Sequence, residues 1–251
     1  MAQQKGIIKL KGTLGDITFY KSQDGYLARE KGSLDASRIA TDPNFQRTRE
    51  NGEEFGRAGK AGKMLRTSIR ALLLSVADSK MVGRLTKQMV KVIQADTTSI
   101  RGKRNVIDGE AELLKGFEFN IRSKFGTTLF APFSATIDRA SGNLTVAIPS
   151  YIPINMVASP GGGTHYKIMA AGASVDFEAE AFEVQSSETD FIALDNVPTA
   201  ALNLVNTLTA NSTHPLFISL GIEFYQEING TKYTLKNGTY NALALVEVSG
   251  I

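Results

Sequence analysis

The side chains that most often carry out catalysis are scarce in this 251-residue chain. It contains no cysteine, which removes thiolate nucleophiles, thiolate metal sites and disulfides. Its two histidines, His165 and His214, form no His-x-x-x-His pair of the kind that binds catalytic zinc. No Gly-x-Ser-x-Gly elbow supplies a serine nucleophile. We therefore expect a protein that is not an enzyme and that binds no cofactor or metal.

Two acidic pairs could act as the carboxylates of a glycosidase: Glu178 with Glu180, and Glu188 with Asp190. Residues two positions apart in a strand share one face of the sheet, so a solvated acidic face explains both pairs without catalysis. Tryptophan is absent and aromatic residues make up only 8% of the chain, whereas a sugar-binding sandwich more often shows an aromatic platform. A hydrolase of unrecognised type would need a pocket with converging acids.

A glycine-rich segment at Gly56–Met64 includes a Gly-Lys pair, which suggests a phosphate-binding loop. In that loop a glycine would have to stand at Arg57 and a serine or threonine at Met64, and a strand would have to precede it. A later glycine triplet at Gly161–Gly163 has neither the lysine nor the helix. Neither segment therefore predicts a nucleotide site.

Charge is distributed very unevenly along the chain. Residues 1–104 hold 21 of the 28 Lys and Arg residues but 10 of the 25 Asp and Glu residues, a formal charge of +11. Residues 105–251 carry a formal charge of −8. Such a dipolar molecule can bind a polyanion with one half, or bind copies of itself head to tail.

The basic part begins with a predicted meander of short strands over residues 6–30. It runs through the apolar residues Ile7, Ile8 and Leu10, and Asp24-Gly25 between two apolar runs is a strong hairpin signal. Three strands this short have little core of their own. The meander therefore needs another surface, either the body of this chain or a neighbouring subunit.

Two helices are predicted next. Asp42 is suited to cap the first helix and Pro43 to open it, and apolar residues follow a 3-4 rhythm from Phe55 to Val76. Glycines between positions 52 and 62 weaken this helix; they could instead allow another helix to approach closely, or break the element in two. The second helix is expected from about residue 79 to 95.

Six cations lie on the second helix or in the loop after it, where they could form a face that binds nucleic acid through its phosphates. They are Arg84, Lys87, Lys91, Arg101, Lys103 and Arg104. The aromatic residues of this region do not alternate with the cations as they would in a single-strand binder. We therefore favour a solvated face or an assembly contact, with nucleic acid as the less favoured partner.

Beyond residue 110 the pattern changes to short segments of period two separated by turns, including Asn229-Gly230 and Asn237-Gly238. This pattern predicts an antiparallel β-sandwich of immunoglobulin-like or jelly-roll type. A Pro- and Gly-rich loop at 150–164 is either a plain connection or a contact arm. The expected fold is α+β, with a β-meander and two helices in residues 1–109 and an acidic β-sandwich in residues 110–251.

The front of the chain resembles a family of small uncharacterised proteins of Bacteroidota. The resemblance rests on residues 12–20, residues 25–29, and Pro43–Arg47 with Phe55 and Ala58. In that family a glycine-punctuated hairpin precedes a Pro-x-x-Gln-Arg helix and a β-rich C-terminal half. The resemblance covers about a quarter of the chain and implies this layout, but no activity or catalytic residue. The family could include phage-like or host-encoded particle proteins.

The chain shows no apolar run long enough to cross a membrane, and its first residues lack the apolar run of a signal peptide. We expect a protein without a membrane partner that is made in the cytoplasm, or belongs to a particle assembled there.

The function that these features favour is that of a self-assembling structural subunit of a tube, filament or phage-like particle. In a head-to-tail homo-oligomer the basic front of one copy meets the acidic back of the next. The candidate contact residues are Arg47, Arg49, Arg57 and Lys60 on the front, and Glu178, Glu180 and Glu183 on the back. The alternative is a binding module, for nucleic acid through the basic region or for a surface ligand through the sandwich loops.

Overall fold

The computed structural model describes residues 2–32, 36–76, 78–235 and 238–251. The chain forms two compact units, Met1–Glu50 and Asn51–Ile251. No helix in the described part of the chain is long and apolar enough to cross a bilayer.

The N-terminal unit is built on a four-stranded antiparallel sheet with the strand order β1-β4-β3-β2. Its strands are β1 (Ala2–Gln3), β2 (Gly12–Leu14), β3 (Ile17–Ser22) and β4 (Gly25–Glu30). The predicted hairpin at Asp24-Gly25 is confirmed, since Ser22 pairs with Gly25. The segment around Ile7 and Ile8, however, is not a strand. The Gln4 side chain instead bonds the N–H and the C=O of Leu10, which replaces ladder pairing there.

No described residue between positions 2 and 50 is buried. Leu14 and Ile17 pair across strands β2 and β3, and their side chains are 73% and 47% exposed. Helix α1 (Ala36–Thr41) follows the sheet, and Asp42 then caps a short 3₁₀ helix at Pro43–Phe45 by accepting a hydrogen bond from Asn44 N. The prediction that the meander has little core of its own agrees with this lack of buried side chains.

The larger unit contains the helices that sequence periodicity predicted. The first predicted helix forms as α2 (Gln46–Ser68), which begins before the unit boundary, and α3 (Arg70–Leu73). The second forms as α4 (Met81–Gln94). The glycines do not interrupt α2; the break comes at Ile69, whose φ of −103° and ψ of 24° lie outside the helical region. Two further single turns occur in the connections, α5 (Phe125–Thr128) and α6 (Pro153–Met156).

Among the described residues of this unit, nine strands make two antiparallel sheets. The smaller sheet has the order β10-β6-β5; in the larger, β12-β11-β7-β8 form a continuous path, with β13 paired to β11 and β9 paired to β7. The strands are β5 (Ser134–Asp138), β6 (Asn143–Ile148), β7 (His165–Asp176), β8 (Ala181–Glu188), β9 (Ile192–Ala193), β10 (Leu202–Thr207), β11 (Leu216–Ile228), β12 (Thr231–Thr234) and β13 (Ala242–Ser249). The turn between β11 and β12 has positive φ at Asn229 and Gly230, as the Asn-Gly pair predicted. Asn237 of the second pair lies outside the described residues.

The larger sheet is covered on both faces. Phe217 and Ala173 share one hydrophobic core with Leu65 of α2, and Ile218 shares a second core with Leu144 of β6. The unit therefore has three layers: helices, a six-stranded sheet and a three-stranded sheet. The predicted α+β class with an antiparallel, sandwich-like C-terminal half is confirmed.

Charge changes sign near residue 109, where the sequence suggested a domain boundary. In the structure the helices before this point and the sheet after it share one hydrophobic core, and the division into compact units falls after Glu50. The segment Phe117–Ile121, which alternates like a strand, forms only an isolated bridge between Glu118 and Ala244.

Candidate interaction surfaces

The loop after α4, which contains the basic residues 101–104, is held by one carboxylate. Asp96 is 1% exposed, and its oxygens accept hydrogen bonds from the backbone N–H of Thr98, Ser99 and Asn105 at 2.9–3.1 Å. Burial acts to raise the pKa of Asp96, but these backbone donors outweigh it and hold the pKa well below its ordinary value of 3.8. The ionised form is therefore part of the loop's structure.

Helix α2 holds the same loop from the other side. The Arg57 guanidinium donates to the carbonyl oxygens of Gly102, at 2.8 Å, and Arg104. The buried Glu54 carboxylate accepts a hydrogen bond from Gly102 N at 2.9 Å. Arg57, which was predicted to contact a neighbouring subunit, thus already has partners inside its own chain.

A cavity of about 370 Å³ brings predicted basic and acidic residues together in one molecule. Its wall includes Arg57, Lys60, Lys103, Glu178 and Glu180, along with apolar side chains. Lys60 Nζ lies 3.7 Å from Glu180 Oε1. Both side chains are largely exposed, so this ion pair is weak. It shows that Lys60 and Glu180 need no second subunit in order to meet.

The remaining assembly candidates are separate from this cavity. Both oxygens of Glu183 accept hydrogen bonds from Thr209 N, at 3.0 and 3.1 Å. In the N-terminal unit, Arg49 donates to the carbonyl oxygens of Ile39 and Asp42. The Arg47 side chain is exposed and has no hydrogen bond or ion pair with any described residue.

The Arg84 guanidinium already has partners inside its own chain. It pairs with Asp78, donates to the carbonyl oxygen of Glu118 at 2.6 Å, and lies 5.3 Å from the centroid of the Phe117 ring. Burial acts to raise the pKa of Asp78, but hydrogen bonds from Ile121 N, Lys80 N and Arg84 hold it below its ordinary value. This ion pair fastens the start of α4 to the sheet layer.

Lys87 and Lys91 differ from the other four candidate cations because they line an apolar groove between α2 and α4. This Phe55 groove has a volume of about 520 Å³, and its wall consists of Phe55, Gly83, Thr86, Lys87, Val90, Lys91 and Gln94. The Phe55 side chain is 62% exposed, although its spacing predicted burial. Gly83 also lines the groove, and a Cβ added there would meet nothing within 4 Å. Within the described residues, neither lysine ammonium group has a hydrogen bond or ion pair.

The remaining cations serve the loop itself. Arg101 donates to the Asn51 side chain at 2.7 Å, and the carbonyl oxygen of Arg104 accepts a hydrogen bond from the Arg57 guanidinium. Lys103 lines the 370 Å³ cavity. The six candidate polyanion-binding residues therefore lie in three different environments. Arg84 is half-buried beside Asp78, Lys87 and Lys91 line the Phe55 groove, and the other three belong to the loop after α4.

A polar hollow of about 420 Å³ contains the side chains of a serine, a histidine and an aspartate. His214 Nε2 lies 3.8 Å from Asp176 Oδ2. The Ser212 hydroxyl accepts from the backbone N–H of His214 and bonds the Ser174 hydroxyl, and in the described structure no hydrogen bond joins it to the imidazole. The arrangement lacks the nucleophile–base contact of an activated serine.

Within the part of the chain that the structure describes, no group of three His, Cys, Asp or Glu side chains could hold a metal ion. The second histidine, His165, shares a hydrogen bond with the Thr164 hydroxyl and lies 3.5 Å from Glu227. Comparisons with protein-family models, with curated proteins and with solved structures find no significant match for this chain.

Proposed function

We propose that this protein is a structural subunit that polymerises head to tail into a tube, filament or particle. The observation that carries the proposal is the N-terminal sheet, in which no described residue is buried although apolar side chains such as Leu14 and Ile17 line it. Burying an aliphatic side chain of this size contributes about 1.5–3 kcal/mol. A sheet that lacks this contribution gains stability when a neighbouring molecule covers it.

The charge pattern supports the same function. Residues 1–104 carry a formal charge of +11 and residues 105–251 a formal charge of −8. These charges favour contact between the basic part of one copy and the acidic part of another. A contact between unlike surfaces leaves both surfaces free at the ends of the oligomer, so it propagates. The product is a ring if the rotation closes and an open polymer if it does not.

Negative-stain electron microscopy of the purified protein at low and high salt tests the proposal. Regular tubes, fibres or shells at low salt are the expected result, and their loss in salt would assign the contacts to charge. Uniform particles of monomer size at every salt and protein concentration would refute it.

The second candidate is a module that binds nucleic acid. It is favoured by Lys87 and Lys91, which lie one helical turn apart and have no acidic partner among the described residues. It is weakened by Arg84, whose guanidinium group binds the backbone carbonyl of Glu118. A steep loss of DNA or RNA affinity with added salt would support this function, and no binding at low salt would end it.

A further inference from the structure

The Phe55 groove is an apolar surface bordered by charge of one sign. Phe55 and Val90 supply its apolar wall, Lys87 and Lys91 its charge, and no acidic side chain lines it. An occupant that matches this surface carries carboxylates next to an exposed apolar side chain. A neutral apolar segment would leave the two ammonium groups without counter-charge.

One surface of the same chain has this composition. The turn from β7 to β8, Asp176–Glu183, contains four carboxylates and no cation, and Phe182 within it is 41% exposed. Asp176 accepts hydrogen bonds from Glu178 N and Ala179 N, both at 2.9 Å. The acidic turn is therefore held in one conformation, which lowers the entropic cost of docking.

The groove and the acidic turn lie on opposite flanks of α2. Phe55 lines the groove, whereas Met64 lines the cavity whose wall includes Glu178. At ~100° per residue, the nine positions from Phe55 to Met64 amount to two and a half helical turns, so the two residues lie on opposite sides of α2. A molecule therefore cannot place its own acidic turn in its own groove, but a second copy can do so.

We propose that the Phe55 groove of one copy receives the acidic turn of a second copy, with Lys87 and Lys91 facing Glu178 and Glu180, and Phe182 packing against Phe55. This proposal rests on the head-to-tail function above and names the surfaces that it uses. The Lys60–Glu180 pair of the free subunit does not oppose it, because that pair is exposed and weak and can be exchanged.

After one contact forms, the pair of copies still has one free Phe55 groove and one free acidic turn, since each copy offers one of each. The contact is heterologous, so a third copy adds in the same way as the second. This contact on the larger unit repeats with each added copy, and the N-terminal sheet is a separate surface that a neighbouring molecule covers.

Cysteine cross-linking tests the contact directly, because the natural chain has no cysteine. We would place Lys91→Cys and Ala179→Cys in one chain and oxidise the assembled protein. A ladder of cross-linked multimers is expected from this double variant, and no cross-linking from either single variant. Mixing the two single variants should yield dimers only. A cross-link in Lys91→Cys alone would show a symmetric contact and overturn the proposal.

Charge reversal gives a second, independent readout. Lys87→Glu with Lys91→Glu is expected to raise the critical concentration for assembly by about tenfold or more, because like charges would meet across the interface. Adding Glu178→Lys and Glu180→Lys in the same chain should restore assembly. Lys63→Glu with Lys80→Glu, at exposed positions outside the groove and the turn, is the matched control.

The outcomes separate this inference from the function on which it rests. If the unaltered protein shows no assembly under any condition, the proposed function fails and the contact fails with it. If the unaltered protein assembles, but the double cysteine variant does not cross-link and the charge reversals match the control, the groove contact is wrong and the structural function stands.

Discussion

The carboxylate of Asp96 offers the sharpest test of the energetics, because three backbone N–H groups of the loop after α4 donate hydrogen bonds to it. In Asp96→Ala the backbone N–H groups of Thr98, Ser99 and Asn105 lose their acceptor. A hydrogen bond to an ionised group contributes about 1.5–3 kcal/mol, but these donors regain some water in the variant, so we assign about 1 kcal/mol to each. We expect Asp96→Ala to lower the free energy of unfolding by about 3 kcal/mol.

Urea unfolding at pH 7, followed by far-ultraviolet circular dichroism, measures this loss. With a slope of about 2–3 kcal/mol per molar urea, the midpoint should fall by about 1–1.5 M. Asp108→Ala is the matched control, since Asp108 lies in the same loop region, is exposed and accepts one side-chain hydrogen bond from Asn105. The control should change the free energy of unfolding by less than about 1 kcal/mol.

The pH dependence supplies a second check with a defined sign. The folded-state pKa of Asp96 lies below its ordinary value of 3.8, so its contribution is complete well above pH 3.8 and is lost as the pH falls through the folded-state pKa. The stability difference between the unaltered protein and Asp96→Ala should therefore be constant from about pH 7 to 5 and shrink below about pH 4. A difference under about 0.5 kcal/mol at pH 7, or one that stays the same in acid, would refute the reasoning.

Three further substitutions should change stability in urea unfolding in defined directions. Gly56→Ala in α2 should stabilise the protein by about 0.5–1 kcal/mol, because a Cβ there meets nothing within 4 Å; a loss of stability would contradict this. Gly172→Val should cost about 1–3 kcal/mol, since even a Cβ would lie 3.0 Å from Leu144 Cδ2 where the two sheets meet, and an unchanged midpoint would show that the sheets can separate freely. Arg84→Met should cost about 2–3 kcal/mol by leaving the Asp78 carboxylate without its cation, and a neutral result would mean that water replaces the guanidinium.

The spacing of apolar residues was enough to predict the helices and strands in which buried side chains recur at a regular interval. Helix α4 was expected from its apolar face, and β5 and β6 from alternation of period two. The segment Leu202–Thr207 forms β10, in which alternate side chains are buried. The strand expected around Ile7 failed because a single side chain, Gln4, competes for the backbone.

The arrangement of charges could not be predicted, because it depends on contacts between distant parts of the chain. Lys60 and Glu180 are 120 positions apart, and only the packing of α2 beside the β7–β8 turn brings them together. Likewise, Arg84 has the exposed spacing of a surface cation but reaches a carbonyl at Glu118. The exposure of Phe55 was missed because an apolar side chain at a regular interval has the same spacing whether or not another element covers it.

The absence of buried side chains in the described part of residues 2–50 has a consequence for the lifetime of the subunit. A backbone held by sheet hydrogen bonds without apolar packing opens often, and a protease cuts what opens. Free subunits would therefore be clipped at the N-terminus and polymerised ones spared, so that degradation in the cell would itself remove the unassembled pool. Exchange of backbone amide hydrogens for deuterium would report the same difference as fast exchange in these residues before assembly and slow exchange after it.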